Sequence, residues 1–525
     1  MEDITVGSGK DDESDLGSDI VVRGTYSQDD ATFTAIPESL PTYHLPENKV
    51  DSRVQSQGTY RGLVRDLVET PSEPKPSNNT TESERVRLWT TWHAICRIET
   101  YRVLLLLVLV ANGVTLASLL GNHILDLPRA LKAVSTNIFV AVAIRQEEVV
   151  NHLYYLHARF PLSTPLFLRR RIANLHHYGG IHAGCAVAAT AWYTAYVVLT
   201  FRLFLGDRRA HAQPRDRVNL VTCLVFILIL VAICLAALPY VRRRFHNTFE
   251  LAHRFGGWSA ILTLWIHTLA ATADVSLFHS PSFYLLFFTT VLIIIPWLRM
   301  YRVEFDATTL SPRAVKLTFP YANMPFNHTI KVSTSPLLEW HAFATIPAPD
   351  QKSASIAVAT AGDWTKRIVE APPRHLYIRN PPGANFLLFV PLFRSALVVA
   401  TGAGIGPVLS FLEGWRLATQ RGTARSTAVK VLWCASQPFA REWDFARDTI
   451  YAVDPDAVII DTSGQRVEGE QRERINVPLL VTEAVRKSGG GTEAVFVVSN
   501  KANTEKVIKS VRGLGVAAYG ATFDS

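Results

Sequence analysis

The chain has 525 residues, of which 48% are hydrophobic and 19% are charged. With a mean hydropathy of +0.14, this composition favours a membrane protein that also has a soluble part, large enough for two or three domains. The formal net charge is +8, but the arginine triplets at 169–171 and 242–244 flank apolar runs. They therefore indicate membrane topology, and we expect no nucleic-acid partner.

The amino-terminal region, residues 1–95, is rich in Ser, Thr, Pro, Asp and Glu and has few apolar clusters. This composition predicts a disordered cytosolic tail. Its first stretch is acidic and polar, which is not the pattern of a cleaved signal peptide. The five cysteines of the chain form no Cys-x-x-Cys pair, so we expect buried thiols and neither a disulfide framework nor a zinc site.

Six apolar runs follow the tail, and each supplies most or all of the roughly 20 residues that a membrane-spanning helix needs. They predict a six-helix transmembrane domain over residues 96–302, in contact with a lipid bilayer. The second run is the weakest, because Arg145, Glu147 and Glu148 lie in it. These three residues either pair inside the bundle or mark the end of that helix. The runs cover residues 101–120, 130–155, 172–201, 220–240, 251–271 and 283–298.

Basic residues in the short loops predict the orientation of the spans. Arginines follow the second, fourth and sixth runs, so these loops, both termini and the soluble domains are predicted to be cytosolic. The loop between the third and fourth runs disagrees with this assignment because it is also rich in arginine. We keep the orientation that three segments support. The sequence does not indicate which membrane holds the protein.

The fifth run carries two histidines, His253 and His267, which are 14 residues apart. In a helix this spacing brings the second imidazole back to within about 40° of the first and places it roughly 21 Å further along the axis. Ionisable groups inside a membrane are costly, so the pair points to a function. The spacing alone leaves two interpretations open: metal or haem ligation, or one histidine at each membrane interface.

The pattern changes after Arg302. Residues 303–393 contain short stretches of alternating polarity, which predict an antiparallel β-barrel. In residues 394–525, strands alternate with helical patterns, which predicts a doubly wound parallel sheet. The predicted fold class is therefore multi-domain: a six-helix transmembrane bundle, a barrel and an α/β domain.

The first strand-to-helix turn of the α/β domain reads VVATGAGIGPVLSFL. Gly402, Gly404 and Gly406 let the backbone turn tightly and approach a pyrophosphate, which the N-terminus of the next helix can hold. Pro407 suits the first helical turn, where the missing N–H costs little. Because the spacing is G-x-G-x-G-P and not G-x-G-x-x-G, a glycine-rich turn without a ligand is the alternative.

Six motifs distributed over residues 100–525 point to one family. They are HHYGGIH at 176–182, HRFGGW at 253–258, EWHAFA at 339–344, GDWT at 362–365, GAGIGP at 402–407 and AYGATFDS at 518–525. Through them the chain resembles the ferric-reductase-like superfamily, which includes the NADPH oxidases, and is most similar to fungal integral membrane flavoproteins of the TmpA type. The resemblance implies a FAD-binding barrel and an NAD(P)H-binding domain of the ferredoxin-reductase kind behind the transmembrane helices. Electrons would pass from NADPH or NADH to FAD and, in haem-bearing members, across the membrane.

This resemblance assigns five residues of the barrel to FAD. His341 would face the pyrophosphate, and Phe343 would pack on the flavin ring. Gly362, Trp364 and Thr365 match the family's second FAD segment, where a helix N-terminus would hold the phosphates. An ordinary barrel strand is the alternative for EWHAFA.

The flavin motif departs from the family pattern of His-Pro-Phe followed by Thr or Ser. Ala344 stands where a hydroxyl residue is expected to bond the flavin. Loss of that hydroxyl should slow hydride transfer more than it weakens binding, because it acts on developing charge. Thr345 could replace it only if the strand register shifted by one, which would turn Thr345 to the other face.

The nicotinamide half departs as well. The family's Cys-Gly-Pro is replaced by Ser499-Asn500, so the thiol expected beside the hydride path is missing. Cys434 is expected in the core. Near the carboxyl terminus, Tyr519 or Phe523 is the candidate aromatic on the flavin side, with a core aromatic as the alternative. The residues do not separate NADH from NADPH.

Haem-bearing relatives carry two histidines about 14 residues apart in the third span and two in the fifth. In this chain LHHYGGIHAG echoes AHRFGGWSAI, so His176 matches His253, and Thr190 follows 14 residues after His176. His176 and His253 are therefore expected to hold one haem b, while His267 has no evident partner. His182 lies about 240° round the helix from His176, so it does not occupy the place of the missing second histidine, and it is only a weak alternative partner for His267. The other interpretation is a haem-free bundle in which the histidines pack as polar groups.

These features give three functional hypotheses. The first is a membrane-bound flavoprotein oxidoreductase that moves electrons from NAD(P)H to FAD and on to an unidentified acceptor, with or without one haem. The second is a catalytically weakened relative that acts as a sensor or scaffold. The third is a transmembrane ferric-chelate reductase or superoxide-producing oxidase, which would need a complete relay of haems.

Overall fold

The first half of the described chain is helical, as its apolar runs predict. This computed structural model describes residues 100–174, 178–208, 213–271, 277–463 and 475–521. The predicted tail, residues 1–95, lies outside them. The helices are α1 (Thr100–Gly121), α2 (Leu127–Ala143), α3 (Glu147–Ala158), α4 (Leu166–Ile172), α5 (Gly179–Leu203), α6 (Pro214–Ala236), α7 (Pro239–Arg244), α8 (His246–Ala271) and α9 (Pro281–Leu298).

Small residues determine how closely two of these helices pack. A Cβ atom on Gly180 would lie 2.1 Å from the carbonyl oxygen of Tyr101, and one on Gly184 would lie 2.9 Å from Cβ of Val108. Both distances are shorter than atoms can approach. The glycines at this four-residue spacing therefore let α5 lie directly against the backbone of α1, which is a packing mode of helices in membranes.

Within the part of the chain that the structure describes, four helices, α1, α5, α6 and α9, are long and apolar enough to cross a membrane. Helices α2 and α3 meet at an angle of 70° and would supply a fifth span if the bent pair is counted as one. Helix α8, which carries His253 and His267, is not in this set, because its first half is polar. The predicted second run thus contains a break, and a count of six spans stays a prediction.

The break between α2 and α3 explains the charged residues of the second run. Helix α2 ends at Ala143, and α3 begins at Glu147. Glu148 forms an ion pair with Arg299, directly after α9, and Glu147 forms one with Lys331 in the barrel. The charges therefore mark a helix end and bind it to neighbouring elements.

Alternating sequences form a curled antiparallel sheet after α9. Its spatial order is β1-β7-β4-β5-β6-β3-β2. One face of every strand except β2 enters a shared core, in which Ile330, Val332, Ile356 and Ile378 are fully buried. The strands are β1 (Met300–Glu304), β2 (Asp306–Ser311), β3 (Ala314–Pro320), β4 (His328–Ser333), β5 (His341–Pro347), β6 (Ser353–Ala359) and β7 (His375–Ala384), with helix α10 (Asp363–Glu370) before β7.

The last part is a five-stranded parallel sheet, as the alternation of strands and helices predicts. Its order is β10-β9-β8-β11-β12. The chain moves outward from β8 in one direction and returns to β11 on its other side, so the switch point lies between β8 and β11. The elements are β8 (Ser395–Thr401), α11 (Ile405–Gln420), β9 (Ala428–Ala435), α12 (Asp444–Val453), β10 (Val458–Asp461), α13 (Val477–Lys487), β11 (Ala494–Val498), α14 (Lys501–Gly513) and β12 (Ala517–Gly520).

Polar contacts join the helices to both sheets. Arg169 of α4 forms an ion pair with Glu493 beside β11, with Nη1 and Oε2 2.9 Å apart. Asn151 of α3 donates from its side-chain amide to the carbonyl oxygen of Pro382 at 2.9 Å and accepts from the backbone N–H of Ala384 at 2.7 Å. Helices α3 and α4 therefore lie against the sheets rather than apart from them.

Candidate cofactor sites

The switch point of the parallel sheet is the first candidate site. Ligands of open α/β sheets bind outside the carboxyl ends of the strands at such a point. Here β8 ends at Thr401 and β11 is followed by Ser499, and the hydroxyl oxygens of these two residues share a hydrogen bond of 2.6 Å. Ser499, at the position where the resemblance predicts a cysteine, is therefore held at the switch point between β8 and β11.

The glycine-rich turn begins directly after β8. Gly402 has a φ of +53°, a conformation that favours glycine, and a Cβ atom there would meet no protein atom within 4 Å. A Cβ atom on Gly404 would lie 2.7 Å from the carbonyl oxygen of Val498, so this glycine permits close packing on β11. Gly406 and Pro407 lie in the first turn of α11. The turn therefore leaves open space above the strand end, in front of a 16-residue helix.

Two other residues of this half lie in the core. Cys434 is 3% exposed, and burial raises the pKa of its thiol to about 12. Tyr519 is also 3% exposed and donates a hydrogen bond of 3.0 Å to the carbonyl oxygen of Arg170. Tyr519 is thus the core aromatic that the sequence left as an alternative. Phe523 lies outside the described residues.

The barrel residues assigned to FAD come together around Trp364. The His341 imidazole stacks on the Trp364 indole with ring centroids 4.1 Å apart, and the Phe343 ring stacks on it at 5.9 Å. Trp364 itself is buried. Next to it, the Thr365 hydroxyl accepts hydrogen bonds from the backbone N–H groups of Ala361 and Gly362, at 2.8 and 2.9 Å. The predicted set is therefore one contiguous cluster at the N-terminus of α10.

The strand register decides which way these side chains face. His341 is paired with Val332 and Phe343 with Ile330, and both partners are fully buried. Directly paired residues of neighbouring strands lie on the same face of a sheet. His341 and Phe343 therefore lie on the core face, whereas Ala342, which is paired with Lys331, lies on the outer face.

Ala344 and Thr345 follow the same alternation. Ala344 is paired with Thr329 on the outer face. Thr345 is fully buried, and its hydroxyl donates to the carbonyl oxygen of His328 at 3.1 Å. Thr345 therefore does not substitute for the hydroxyl that is missing at Ala344.

One group of cations near the barrel was missed by the sequence analysis. Lys331 of β4 and Arg379 of β7 are direct cross-strand partners on the outer face, turned towards the break between α2 and α3. Their position could have been found from the alternation in HTIKVS and HLYIRN, which puts them opposite the buried isoleucines.

The helical bundle brings two histidines together near the barrel. The rings of His182 and His253 have centroids 6.0 Å apart. The Nδ1 atom of His182 lies 2.8 Å from the carbonyl oxygen of Ala141, and the buried Nδ1 atom of His253 has no hydrogen-bond partner in the described part of the chain. Next to His253, Arg254 donates to the carbonyl oxygen of Leu337 in the barrel at 2.8 Å.

His176 lies outside the described residues, so its pairing with His253 stays a prediction. Within the described residues the imidazole that faces His253 is that of His182, which the sequence analysis gave only as a weak alternative. The residue 14 positions after His182 on α5 is Tyr196.

His267 is engaged on both ring nitrogens at the far end of α8. Its Nε2 atom lies 3.1 Å from the hydroxyl of Tyr196, and its Nδ1 atom lies 3.2 Å from the hydroxyl of Thr222. His267 is fully buried, and Tyr196 is 3% exposed. This arrangement has no ring nitrogen left for a metal ion, so the residues present do not fit a second haem.

Comparisons with known proteins match the carboxyl-terminal region to one family and most of the chain to two curated proteins. Residues 386–525 match the family described as the C-terminal domain of adenylate-forming reductase 03009. The chain is 32% identical over 434 residues to adenylate-forming reductase 03009 of Coprinopsis cinerea, which covers 81% of this chain and 40% of that protein. It is also 32% identical over 435 residues to adenylate-forming reductase 06235 of the same organism, with the same coverage. The chain thus spans about 40% of the length of these curated relatives.

A shorter stretch is similar to an oxidase. Over 116 residues the chain is 29% identical to NADPH oxidase 1 of Rattus norvegicus, which covers 20% of each protein. This similarity supports the broader resemblance to the ferric-reductase and NADPH-oxidase superfamily, while the TmpA type stays a prediction. The motifs did not indicate the similarity to adenylate-forming reductases.

Solved ferredoxin reductases overlap the chain at low similarity. The ferredoxin-NADP+ reductase of Neisseria gonorrhoeae, solved with bound FAD and NADP, has a TM-score of 0.32 and 12% identity and covers 42% of this chain and 98% of that chain. The ferredoxin reductase of a carbazole 1,9a-dioxygenase has a TM-score of 0.34 and 12% identity, with 43% and 69% coverage. The fold assignment rests on the strand order of the two sheets and not on these scores.

Proposed function

We propose that this chain is a membrane-bound flavoprotein oxidoreductase that moves electrons from NADPH or NADH to FAD and on to an acceptor not yet identified. One observation carries the proposal: the helix behind the glycine-rich turn lies directly on the barrel. The Ser410 hydroxyl of α11 accepts from the backbone N–H of Asn327 at 2.9 Å, and a Cβ atom on Gly414 would lie 2.8 Å from Cβ of Phe326. A nucleotide at the turn would therefore sit next to the sheet that is expected to hold FAD.

The parallel sheet is proposed to bind the nicotinamide nucleotide, and the barrel is proposed to bind FAD. The turn at Gly402 offers a backbone that a pyrophosphate can approach closely, and the N-terminus of α11 favours negative charge. The hydrogen bond between the hydroxyl groups of Thr401 and Ser499 joins the carboxyl ends of β8 and β11, below the proposed nucleotide. When bound, FAD supplies the chemistry that accepts a hydride from nicotinamide and releases electrons one or two at a time. The match of residues 386–525 to a domain of an adenylate-forming reductase, and the similarity of the chain to that reductase, support the assignment of an oxidoreductase.

The membrane part of the proposal rests on the helices. Large apolar side chains on them face outward, among them Leu107 at 61% exposure and Leu228 at 68%. Exposed apolar surface of this kind suits contact with lipid. Six spans and a cytosolic location of both sheets remain part of the proposal, as do the predicted domain boundaries at 96–302, 303–393 and 394–525.

The full-length protein, extracted in mild detergent, tests this function. We expect it to release FAD on denaturation, and its absorbance at roughly 450 nm should bleach when NADPH or NADH is added anaerobically. A gently extracted protein without flavin would overturn the proposal. Flavin that binds but is not reduced by either nucleotide would instead favour the sensor or scaffold hypothesis, which the replacements at Ala344 and Ser499 motivate.

A pair of matched glycine variants tests the nucleotide site. Gly402→Ala places a methyl group in the open space above β8, and we expect it to slow flavin reduction by about tenfold or more while flavin content stays unchanged. Gly422→Ala is the control, because Gly422 also has a positive φ, of +66°, and open space around it, but lies after α11. Both variants carry the same kind of backbone strain, about 1–2 kcal/mol. Equal reduction rates in the two variants would contradict the assignment of the turn.

A single haem b is a second candidate component, and the near pair of histidines motivates it. A haem-ligating histidine usually donates its other ring N–H to a carbonyl group, and the contact between Nδ1 of His182 and the carbonyl oxygen of Ala141 has this form. His182 and His253 would then be the residues that hold the group, which would supply one-electron transfer. The pairing of His176 with His253 stays the alternative, because His176 lies outside the described residues. A complete transmembrane relay is not proposed, because His267 is engaged by Tyr196 and Thr222.

A further inference from the structure

The loop between β4 and β5 presents two neighbouring leucines to the outside of the barrel. Leu337 and Leu338 are 59% and 57% exposed. In residues 300–393, all of which the structure describes, Tyr301 is the one other large apolar side chain that is exposed. The barrel therefore concentrates its exposed aliphatic surface in this loop, and such a concentration marks a contact surface rather than ordinary scatter.

Hydrogen bonds within the loop hold the leucines in place. The backbone N–H groups of Leu338 and Glu339 both donate to the carbonyl oxygen of Ser335, at 2.8 and 3.0 Å. The Trp340 indole N–H donates to the carbonyl oxygen of Pro336 at 2.8 Å. The loop thus forms one tight turn, so the exposure of both leucines belongs to the fixed shape of the chain.

The loop is joined to the end of α8 that carries His253, which is the near end of this helix. The Arg254 guanidinium donates from Nη1 to the carbonyl oxygen of Leu337 at 2.8 Å. Arg254 lies one helical turn, about 6 Å along the axis, before Trp258. The Trp258 ring contacts that of Trp297 at the end of α9, with centroids 5.5 Å apart. Because tryptophan at the end of a spanning helix is typical of the membrane–water interface, the loop lies close to the level of that interface.

Apolar and basic side chains surround this contact. On α8, Leu251 and Phe255 are exposed within one turn of the hydrogen bond, and Leu298 is exposed at the end of α9. Arg242 and Arg244 lie on α7, the short helix directly before α8. A lipid leaflet offers an acyl layer for the apolar side chains and phosphate groups for the arginines. Both the apolar surface and the charge at the near end of α8 therefore match lipid.

We propose that the loop of residues 334–339 inserts Leu337 and Leu338 into the lipid leaflet around the near end of α8, with Arg254 holding the loop at that depth. This inference rests on the proposed function, because it requires the helices to lie in a bilayer. The barrel is then bound to the membrane by direct contact with lipid as well as by its polar contacts with the helices. The expected depth is that of interfacial apolar groups, about 5–10 Å into the boundary between head groups and acyl chains.

Fluorescence quenching of the full-length protein in phosphatidylcholine nanodiscs tests the insertion. An environment-sensitive thiol label is attached at Leu338→Cys. Cys96→Ala and Cys234→Ala remove the two native cysteines that the label could reach, because the other three are buried. A lipid with its nitroxide near the head group should quench the label at least about threefold more strongly than one with its nitroxide at the chain end, because the loop stays at the interface. Aqueous iodide should quench it weakly.

Two other exposed leucines serve as matched controls. Leu479→Cys places the label on α13 of the parallel sheet, where we expect it to face water, so iodide should quench it and nitroxide lipids should not. Leu107→Cys places it on the outward face of α1, where nitroxide lipids should quench it and iodide should not.

Two further variants check the geometry. Arg254→Met removes the hydrogen bond that joins the loop to α8, so quenching at position 338 by the head-group nitroxide should fall severalfold. Unchanged quenching would overturn the role of Arg254. Leu337→Cys carries the label if Leu338→Cys fails to fold, and it should give the same pattern of quenching.

The possible failures have different meanings. Strong iodide quenching at position 338, equal to that at position 479, would overturn the insertion. A label that neither iodide nor nitroxide lipid reaches would overturn it too, because a protein segment, such as residues 1–95 or a second copy of the chain, would then cover the loop. Both results leave the proposed function intact as long as lipid quenches the label at position 107. Failure of lipid to quench position 107 would overturn the membrane part of the proposed function itself.

Discussion

The two ends of helix α8 carry the same residue type in opposite situations. Near the barrel, the Nδ1 atom of His253 is buried without a hydrogen-bond partner in the described part of the chain, and the His182 ring faces it. At the far end, both ring nitrogens of His267 are engaged by hydroxyl groups of Tyr196 and Thr222. One histidine has an unused polar atom, and the other has none.

The difference teaches that a buried histidine signals a ligand only when its bonding capacity is unused. Buried polar groups are nearly always satisfied, so an unsatisfied one calls for an explanation. At the far end, Tyr196 and Thr222 satisfy the hydrogen-bonding capacity of His267. At the near end, Nδ1 of His253 is not satisfied within the described residues. The near end is also the end that contacts the barrel, through the hydrogen bond from Arg254 to the carbonyl oxygen of Leu337. Any electron carrier in the bundle is therefore expected at the near end.

Substitution of the near pair is expected to give the largest effect. If the purified protein shows a b-type haem spectrum, His182→Ala or His253→Ala should abolish it, since each removes one axial ligand. His267→Ala is the control, and it should leave the spectrum in place although the helix bundle loses stability. A spectrum that survives in both near-end variants, or that is lost only in His267→Ala, would reverse the comparison between the two ends.

Removal of the Tyr196 hydroxyl tests the far end. Tyr196→Phe should lower the free energy of unfolding by about 1–3 kcal/mol, because it leaves Nε2 of the fully buried His267 without a partner. Tyr193→Phe is the matched control. The Tyr193 hydroxyl is buried and faces the Cys223 thiol, which is a weak hydrogen-bonding group, so its loss should cost less than the loss of the Tyr196 hydroxyl. Thermal unfolding in detergent would report both, and equal midpoints for the two variants would refute the role of Tyr196.

The sequence predicted most of the fold because the hydrophobic period is clear. The strands from HTIKVS to EAVFVVS lie where the alternation puts them, and the glycine turn lies between β8 and α11 as expected. Strand β2 was missed because only Leu310 in it is buried, so it shows no alternation. The break after Ala143 was visible only as a cluster of charges, since a bend of 70° depends on contacts with α9 and the barrel.

The candidate sites were harder to predict, because they depend on register and on facing elements. The likeness of LHHYGGIHAG to AHRFGGWSAI favoured His176 as the partner of His253, and that pairing stays a prediction because His176 lies outside the described residues. The proximity of His182 to His253 depends on how α5 and α8 pack, which the motif does not encode. Likewise, a motif names His341 and Phe343, while only strand pairing reveals that they face the core and that Lys331 and Arg379 face outward.

The smallest expected effect concerns the contacts that tie the near end to the parallel sheet. Burial raises the pKa of Glu493, but hydrogen bonds from Arg169 and from the backbone of Arg394 lower it more, so the net pKa lies below its usual value. A depressed carboxyl pKa contributes stability above the unfolded value of about 4.3, and this contribution is lost as the pH falls through the folded pKa. Glu493→Gln should therefore cost about 1–2 kcal/mol at neutral pH, and the cost should vanish in acid.

Glu370→Gln is the control for this prediction. Glu370 forms a longer ion pair with Lys366, 3.8 Å between Nζ and Oε1, and both side chains are more than half exposed. Such a pair contributes close to nothing. Unfolding midpoints of both variants, measured from neutral pH down to about pH 2, would show a pH-dependent difference only for Glu493→Gln if α4 is held to the sheet by charge. A difference that does not change with pH would mean that packing around Arg169, and not its charge, joins α4 to the parallel sheet.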